Sequence, residues 1–349
     1  MSRRSGSLLL AFCLLSLFVV VGSAIPVPYV QLAPGSTFNT LGSVEGVELI
    51  TIAETTTYPT SGHLDLTTVS ESGGPVGTLT VGEAFRGWRD PTVRIIPTDV
   101  MYPEVVDPDA VKDEQAAAFS GSENSAIAAS MRFLKKPVTT QAQVVAVSTN
   151  GPSDGVIHPD DIVVAVGDKP VKETADIAKA VRAKPIGSAI EFTLTRAGAT
   201  VKATVTSAPR PDNPNVPYVG ITSMTAYRAP FPITFGLTDV GGPSAGLMFS
   251  MGIVDKLTPG QLNGGRFVAG TGTIDPDGHV GPIGGIEQKL VGARRAGAEL
   301  FLAPRENCEG VVGNVPEGLT VTPVDTLTDA VAATEAWVAG KAVPPCTKE

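Results

Sequence analysis

The feature that constrains the fold most is the run Gly241-Gly242-Pro243-Ser244-Ala245-Gly246. Proline pre-sets a helical φ, and its missing N–H costs nothing in a first turn. Beyond it, Leu247, Met248, Met251, Val254 and Leu257 recur at helical spacing. This pattern predicts a helix over 245–257 with Ser244 in its first turn. Free N–H groups at a helix start favour developing negative charge, and flanking glycines admit a close backbone. Gly242 and Ala245 are therefore the candidates for an oxyanion site and for approach of a substrate backbone. The run reads equally as a plain helix cap.

A second element changes that balance. Residues 267–274 read as a strand, 275–278 as a turn, and 282–285 as the lead into a helix over 286–296. On that helix Ile286, Lys289, Leu290 and Ala293 share one face. Glu287, Gln288, Arg294 and Arg295 fall mostly elsewhere and read as solvated. Lys289, which follows Ser244 by 45 positions, is thus the one charge on an apolar stripe. Such a lysine often keeps its head in water. Buried, its neutral amine is favoured and becomes a general base near neutral pH. A serine and a lysine together hydrolyse peptide bonds without histidine or aspartate.

The 349 residues allow two or three domains, and 42% apolar with 17% charged content supports sizeable cores. A net charge of −9 argues against nucleic-acid binding, which needs clustered Lys and Arg. Thirty-eight glycines and 29 prolines point to short strands and many turns. The three histidines, His63, His158 and His279, are scattered, and the cysteines show no C-x-x-C spacing, so no metal site is expected. His279 follows a D-P-D-G turn and His158 lies beside Pro159; both read as surface turn residues. No G-x-x-x-x-G-K-[ST] loop occurs, and no cofactor is expected.

At the N-terminus Arg3 and Arg4 precede an apolar run from Leu8 to about Ile25. That pattern is an export signal, either cleaved near Gly22-Ser23-Ala24 or retained as a single-pass helix. The retained anchor over 1–28 is the expectation, with the remaining chain outside the cytoplasm. An oxidising location also permits a disulfide between Cys308 and Cys346, which sequence alone neither requires nor forbids.

Further along, 46–100 carries β-branched runs that read as strands, and 111–134 reads as helical. Residues 142–208 run strand, small-residue turn, strand, hairpin, helix, strand, strand, with Thr174 placed to cap the helix. The order around D-D-I-V-V-A-V-G-D-K-P-V resembles a PDZ domain of the bacterial protease-associated kind, over about 70 residues. The glycine-containing carboxylate loop of such domains is not found before the first strand, where Met131-Arg132-Phe133-Leu134-Lys135-Lys136-Pro137-Val138 stands. A β-rich spacer that binds nothing is the alternative reading. The proline-rich stretch 209–217 reads as a stiff linker.

The serine run, the T-G at Thr271-Gly272, P-I-G-G-I-E-Q-K-L at 282–290 and A-E-L-F-L-A-P at 298–304 resemble the proteolytic domain of Lon-type proteases. The resemblance implies Ser244 as nucleophile, Lys289 as general base and Thr271 as their support. It departs at Gly241, where the family often has aspartate and where Asp239 stands two residues earlier, and at Glu287, where the family has a further lysine.

With the PDZ-like segment and the anchor, the whole resembles the membrane-anchored PDZ/Lon-like serine proteases of Gram-positive, actinobacterial type. The implied fold class is an α/β (α+β) Lon-type proteolytic domain with an inserted β-rich PDZ-like domain and an N-terminal transmembrane helix. The boundaries follow as 1–28 anchor, 29–134 first part of the proteolytic domain, 135–208 PDZ-like domain, 209–217 linker, 218–340 second part and 341–349 tail. The implied activity is ATP-independent cleavage of exported, unfolded or membrane-proximal proteins. The expected partners are protein substrates, the cell membrane and, by resemblance, further copies in a hexamer; nucleic acid is not among them. A PDZ-type binding scaffold with a vestigial protease fold is the competing reading.

Overall fold

The computed structural model describes residues 3–103, 107–238 and 240–348, with side chains from residue 12 onward. Asp239 lies outside the described residues. In chain order the principal elements begin with α1 (Arg3–Ser23), β1 (Tyr29–Asn39), β2 (His63–Gly73), α2 (Val81–Arg89), β3 (Arg94–Pro97) and α3 (Pro108–Phe133). There follow β4 (Thr139–Val147), β5 (Ile162–Val166), α4 (Thr174–Arg182), β6 (Ala189–Arg196), β7 (Ala199–Thr206) and β8 (Ile221–Arg228). The chain ends with α5 (Gly246–Leu257), β9 (Phe267–Gly270), α6 (Ile286–Ala296), β10 (Leu300–Pro304), β11 (Thr320–Val324) and α7 (Leu327–Val338). Two compact units result: Met1–Leu134 with Ile233–Glu349, and Lys135–Pro232.

The first unit is built on one mixed sheet, ordered β11-β10-β9-β2-β1-β3. Strands β2, β9, β10 and β11 run parallel, while β1 is antiparallel to both β2 and β3. Phe267 to Gly270 register against His63 to Leu66. The early strand segment and the segment after the serine run therefore share a ladder. Parallel strands are covered on both faces, which fits the fully buried Leu300–Pro304 run. Helix α5 is buried almost throughout and packs along α3. Gly270 allows its approach, since a Cβ there would lie 2.6 Å from Met248 Sδ.

The second unit has its own sheet, ordered β7-β6-β5-β4-β8, with Phe192, Leu194, Ile177 and Val181 in its core. Several expectations change here. Residues 209–217 are not a linker: Ala208–Arg210 and Asn213–Tyr218 form an antiparallel ribbon. Both strands of such a ribbon are edges, where proline is tolerated. Strand β8 then pairs with β4 over its whole length, so this unit ends near 232 rather than 208. A glycine precedes β8 instead: Gly220, in Val219-Gly220-Ile221, adopts φ +75°. Helix α4 is capped by Glu173, not Thr174, because Glu173 and Asp176 form a reciprocal capping box.

At the N-terminus, α1 forms, but among the described residues no helix is long and apolar enough to cross a membrane. The transmembrane helix expected within 1–28 is therefore not found. Cys308 and Cys346 are joined in a disulfide with a Cα separation of 5.1 Å, and Cys13 is free. Cys346 packs against the cluster containing Ile286, Leu290 and Phe301.

Candidate active site

Ser244 lies in the turn just ahead of α5, whose N-cap is Ala245, so the serine stands outside the helix rather than in its first turn. Gly242 has φ +86°. A Cβ on Gly246 would meet Ile274 Cγ2 at 2.8 Å. Glycine at both places lets the turn fold tightly against the strand that follows β9. That strand end grips the turn directly. The Gly272 N–H and the Thr271 hydroxyl both donate to the Ser244 carbonyl, at 3.0 and 3.1 Å, and the Leu247 N–H donates to the Gly272 carbonyl at 3.1 Å. Thr271 is placed in turn by its own N–H, which donates to the Leu302 carbonyl on β10.

Lys289 comes from the first turns of α6, which starts after Gly285 in a left-handed conformation, φ +68°. Its side chain is buried, with 3% exposure. Nζ lies 2.7 Å from Ser244 Oγ and 2.9 Å from Thr271 Oγ1. Among the described residues no carboxylate pairs with it, and burial pulls the ammonium from its usual 10.5 down to about 7. Its neighbour Gln288, expected in solvent, is also buried, and its Nε2 donates to the Thr92 carbonyl.

These groups open into a cavity of about 840 Å³. One wall is the β2 edge through Thr68 and Val69; others come from Phe38, Phe119 and the Pro282–Gly285 segment. Asn307 holds that segment by accepting from the Ile283 N–H and donating to the Ile283 carbonyl, both at 2.9 Å.

The expected oxyanion residues separate. The Gly242 N–H donates to the Gln115 carbonyl of α3 at 2.9 Å and is not free. The N–H groups of Ser244 and Ala245 have no partner among the described residues and stand at the helix start. Gln115 was not legible as a site residue: it acts through its backbone carbonyl, which leaves no mark in a sequence. His279 is exposed, paired with Asp275 at 2.8 Å, and not among the residues lining the cavity, and His158 is likewise exposed.

A buried lysine amine against a serine hydroxyl, at the carboxyl end of a parallel strand, defines a serine-peptidase type of site. Residues 232–335 match the family model for the Lon protease (S16) C-terminal proteolytic domain, and residues 119–206 match that for the PDZ domain. The chain thus carries a Lon-type proteolytic domain together with a PDZ domain. It is similar to the Lon protease of Buchnera aphidicola subsp. Schizaphis graminum, 39% identical over 95 residues, 26% of this chain and 12% of that protein. Lon protease 1 of Bacillus subtilis (strain 168) is 40% identical over 88 residues, 24% of this chain and 11% of its own length. The chain therefore spans only about an eighth of the length of these relatives. Among solved structures, the PDZ domain of an SdrC-like protein from Listeria monocytogenes aligns at 18% identity and TM-score 0.22, covering 24% of this chain and 85% of that one.

Proposed function

We propose that this protein is an ATP-independent serine endopeptidase that works through a Ser244–Lys289 pair. The observation that carries the reading is the 2.7 Å approach of Nζ to Oγ inside a buried site. Thr271 Oγ1 gives its proton to the Ser244 carbonyl and receives an N–H from Lys289. That leaves the amine lone pair for the Ser244 hydroxyl proton. Lys289 takes this proton as Oγ attacks the scissile carbonyl, and the N–H groups of Ser244 and Ala245 receive the oxyanion. The protonated lysine then hands its proton to the leaving amine, and an acyl-enzyme ester remains on Oγ. Water, deprotonated by the same amine, hydrolyses that ester and restores the serine.

Substrates in this reading are loose or unfolded segments of exported proteins, since no step here supplies unfolding work. Residues 1–28 attach the protein to the extracytoplasmic face of the membrane; Arg3 and Arg4 ahead of the apolar run support this. The Lon resemblance supports a hexameric ring. A recruiting role for the PDZ unit is supported by β8, an edge strand introduced by Gly220, whose Thr225 Oγ1 accepts from the Thr174 N–H of α4.

The test is cleavage of fluorescein-labelled casein by the full chain and by Ser244→Ala and Lys289→Ala. Both variants should keep the parental fold by circular dichroism and lose at least about 1,000-fold in rate. Undiminished cleavage by either would leave the scaffold reading in its place.

A further inference from the structure

Helix α2 exposes a stripe that nothing in the catalytic reading uses. Val81, Phe85 and Trp88 fall at i, i+4 and i+7 on one face, and Phe85 and Trp88 are 56% and 62% exposed. The inner side of the same helix, at Ala84 and Gly87, is buried against the sheet. A Cβ on Gly87 would come within 2.8 Å of Gln31 and Ile95, so the helix cannot roll to hide its aromatic stripe. Trp88 is held from behind by Tyr29, edge to face at 5.8 Å.

The surroundings specify what covers this stripe. Among the described residues, every exposed Phe and Trp lies on α1 or α2. The two helices are adjoined: Pro26–Val27 pairs with Leu79–Thr80, the Val81 N–H donates to the Ile25 carbonyl, and Gly82 approaches Ser23 so closely that a Cβ would lie 3.1 Å away. The α2 stripe thus continues the exposed apolar surface of α1 at the point where the chain leaves it. Beyond the stripe stand Arg86 and Arg89, the latter over the Phe85 ring. The carboxylates nearest them are fixed by local hydrogen bonds from neutral donors and stay ionised: Glu83 accepts from the Thr80 N–H and hydroxyl, and Asp90 from the Thr92 N–H and hydroxyl. Exposed arginines beside Trp and Phe are the composition of a helix lying in a lipid headgroup layer. In a chain of net charge −9, the exposed Arg86 and Arg89 are the cations this side can offer to an anionic surface.

We infer that α2 is an interfacial seat: Phe85 and Trp88 enter the headgroup region of a bilayer containing anionic phospholipid, with Arg86 and Arg89 against its phosphates. The inference goes beyond the peptidase reading and rests on the membrane reading only for the presence of a bilayer. Its consequence is geometric, because the seat fixes the orientation of the first unit on the membrane rather than leaving it on a tether.

The experiment uses the full chain with Trp337→Phe, which leaves Trp88 as the sole tryptophan. The protein is mixed with phosphatidylcholine vesicles, with and without phosphatidylglycerol, and with brominated acyl chains as quencher. Blue-shifted, bromine-quenched Trp88 emission is expected, stronger with phosphatidylglycerol. In the Trp337-containing parent, Phe85→Asp and Trp88→Asp should each weaken vesicle partitioning about tenfold, and Arg86→Glu with Arg89→Glu should remove the phosphatidylglycerol preference. Casein cleavage at parental rate in these variants shows that the fold is intact. If the parent pellets with vesicles but Trp88 is not quenched, the seat is refuted and the membrane reading stands. If the parent does not pellet, both fall. A lipid-free increase in mass by light scattering, abolished by Trp88→Asp, would assign the stripe to a second copy instead.

Discussion

Lys289→Met offers the sharpest check on the site, because it should destroy activity and yet stabilise the protein at low pH. Moving the amine from 10.5 to about 7 corresponds to about 5 kcal/mol, at roughly 1.4 kcal/mol per pH unit. The sign follows from proton binding: between those two values the unfolded chain holds a proton that the folded chain lacks, so stability rises with pH there. The penalty of the buried lysine is therefore complete below about pH 7 and fades as pH climbs toward 10.5. Methionine removes that penalty and fills the slot at similar volume. It also forfeits the hydrogen bonds to Ser244 Oγ and Thr271 Oγ1, about 1 kcal/mol each. The net expectation is a gain of about 3 kcal/mol near pH 6 and no gain near pH 10, where about 1 kcal/mol of the penalty remains. Urea unfolding followed by tryptophan emission reads the right unit, since Trp88 and Trp337 both belong to it. A stability difference of equal size at both pH values would refute the claim that Lys289 is held neutral by burial.

The rate of the unchanged enzyme should follow the same group. With substrate far below saturation, kcat/KM should climb tenfold per pH unit below about 7 and level off above it; a flat profile across that range would exclude Lys289 as the base. Thr271→Val keeps the shape but loses the contacts to Nζ and to the Ser244 carbonyl, so kcat should fall about 10- to 100-fold with KM little changed. Cys346→Ser frees the tail and opens a loop closed over 38 positions, costing about 2–4 kcal/mol. Limited proteolysis should then clip the tail first, and an unaltered digestion pattern would show that the disulfide does not hold it.

What was legible in the sequence follows from where the information is stored. Lys289 stood out because a helix wheel reports an intruding charge on an apolar face, and that face is buried. The same wheel misplaced Gln288, whose burial depends on the Thr92 segment reaching over it. Pro243 reads as a helix start and so places Ser244 in the first turn, whereas the helix begins only at Gly246, which lies in close contact with Ile274. The second unit shows the limit most clearly. Local pattern gave its strands, but β8 joins β4 across a gap in sequence that no periodicity spans, so the turn with Gly220 and the boundary near 232 emerged only from the ladder.

The same kind of long-range contact accounts for the one departure from the Lon pattern beside the serine. Where that family often has aspartate, a Cβ on Gly241 would lie 2.8 Å from Gln115 Cβ, closer than real Cβ atoms come. Gly242 is then tied by its N–H to the Gln115 carbonyl. Helix α3 therefore packs onto the serine turn at a distance only glycine allows. A carboxylate at 241 would have to push α3 back, and with it Phe119, which lines the cavity and lies edge to face with Phe249 at 5.6 Å. Gly241 is thus not a lost functional group in this chain. It is the residue that lets α3 form one wall of the cavity in which Ser244 and Lys289 meet.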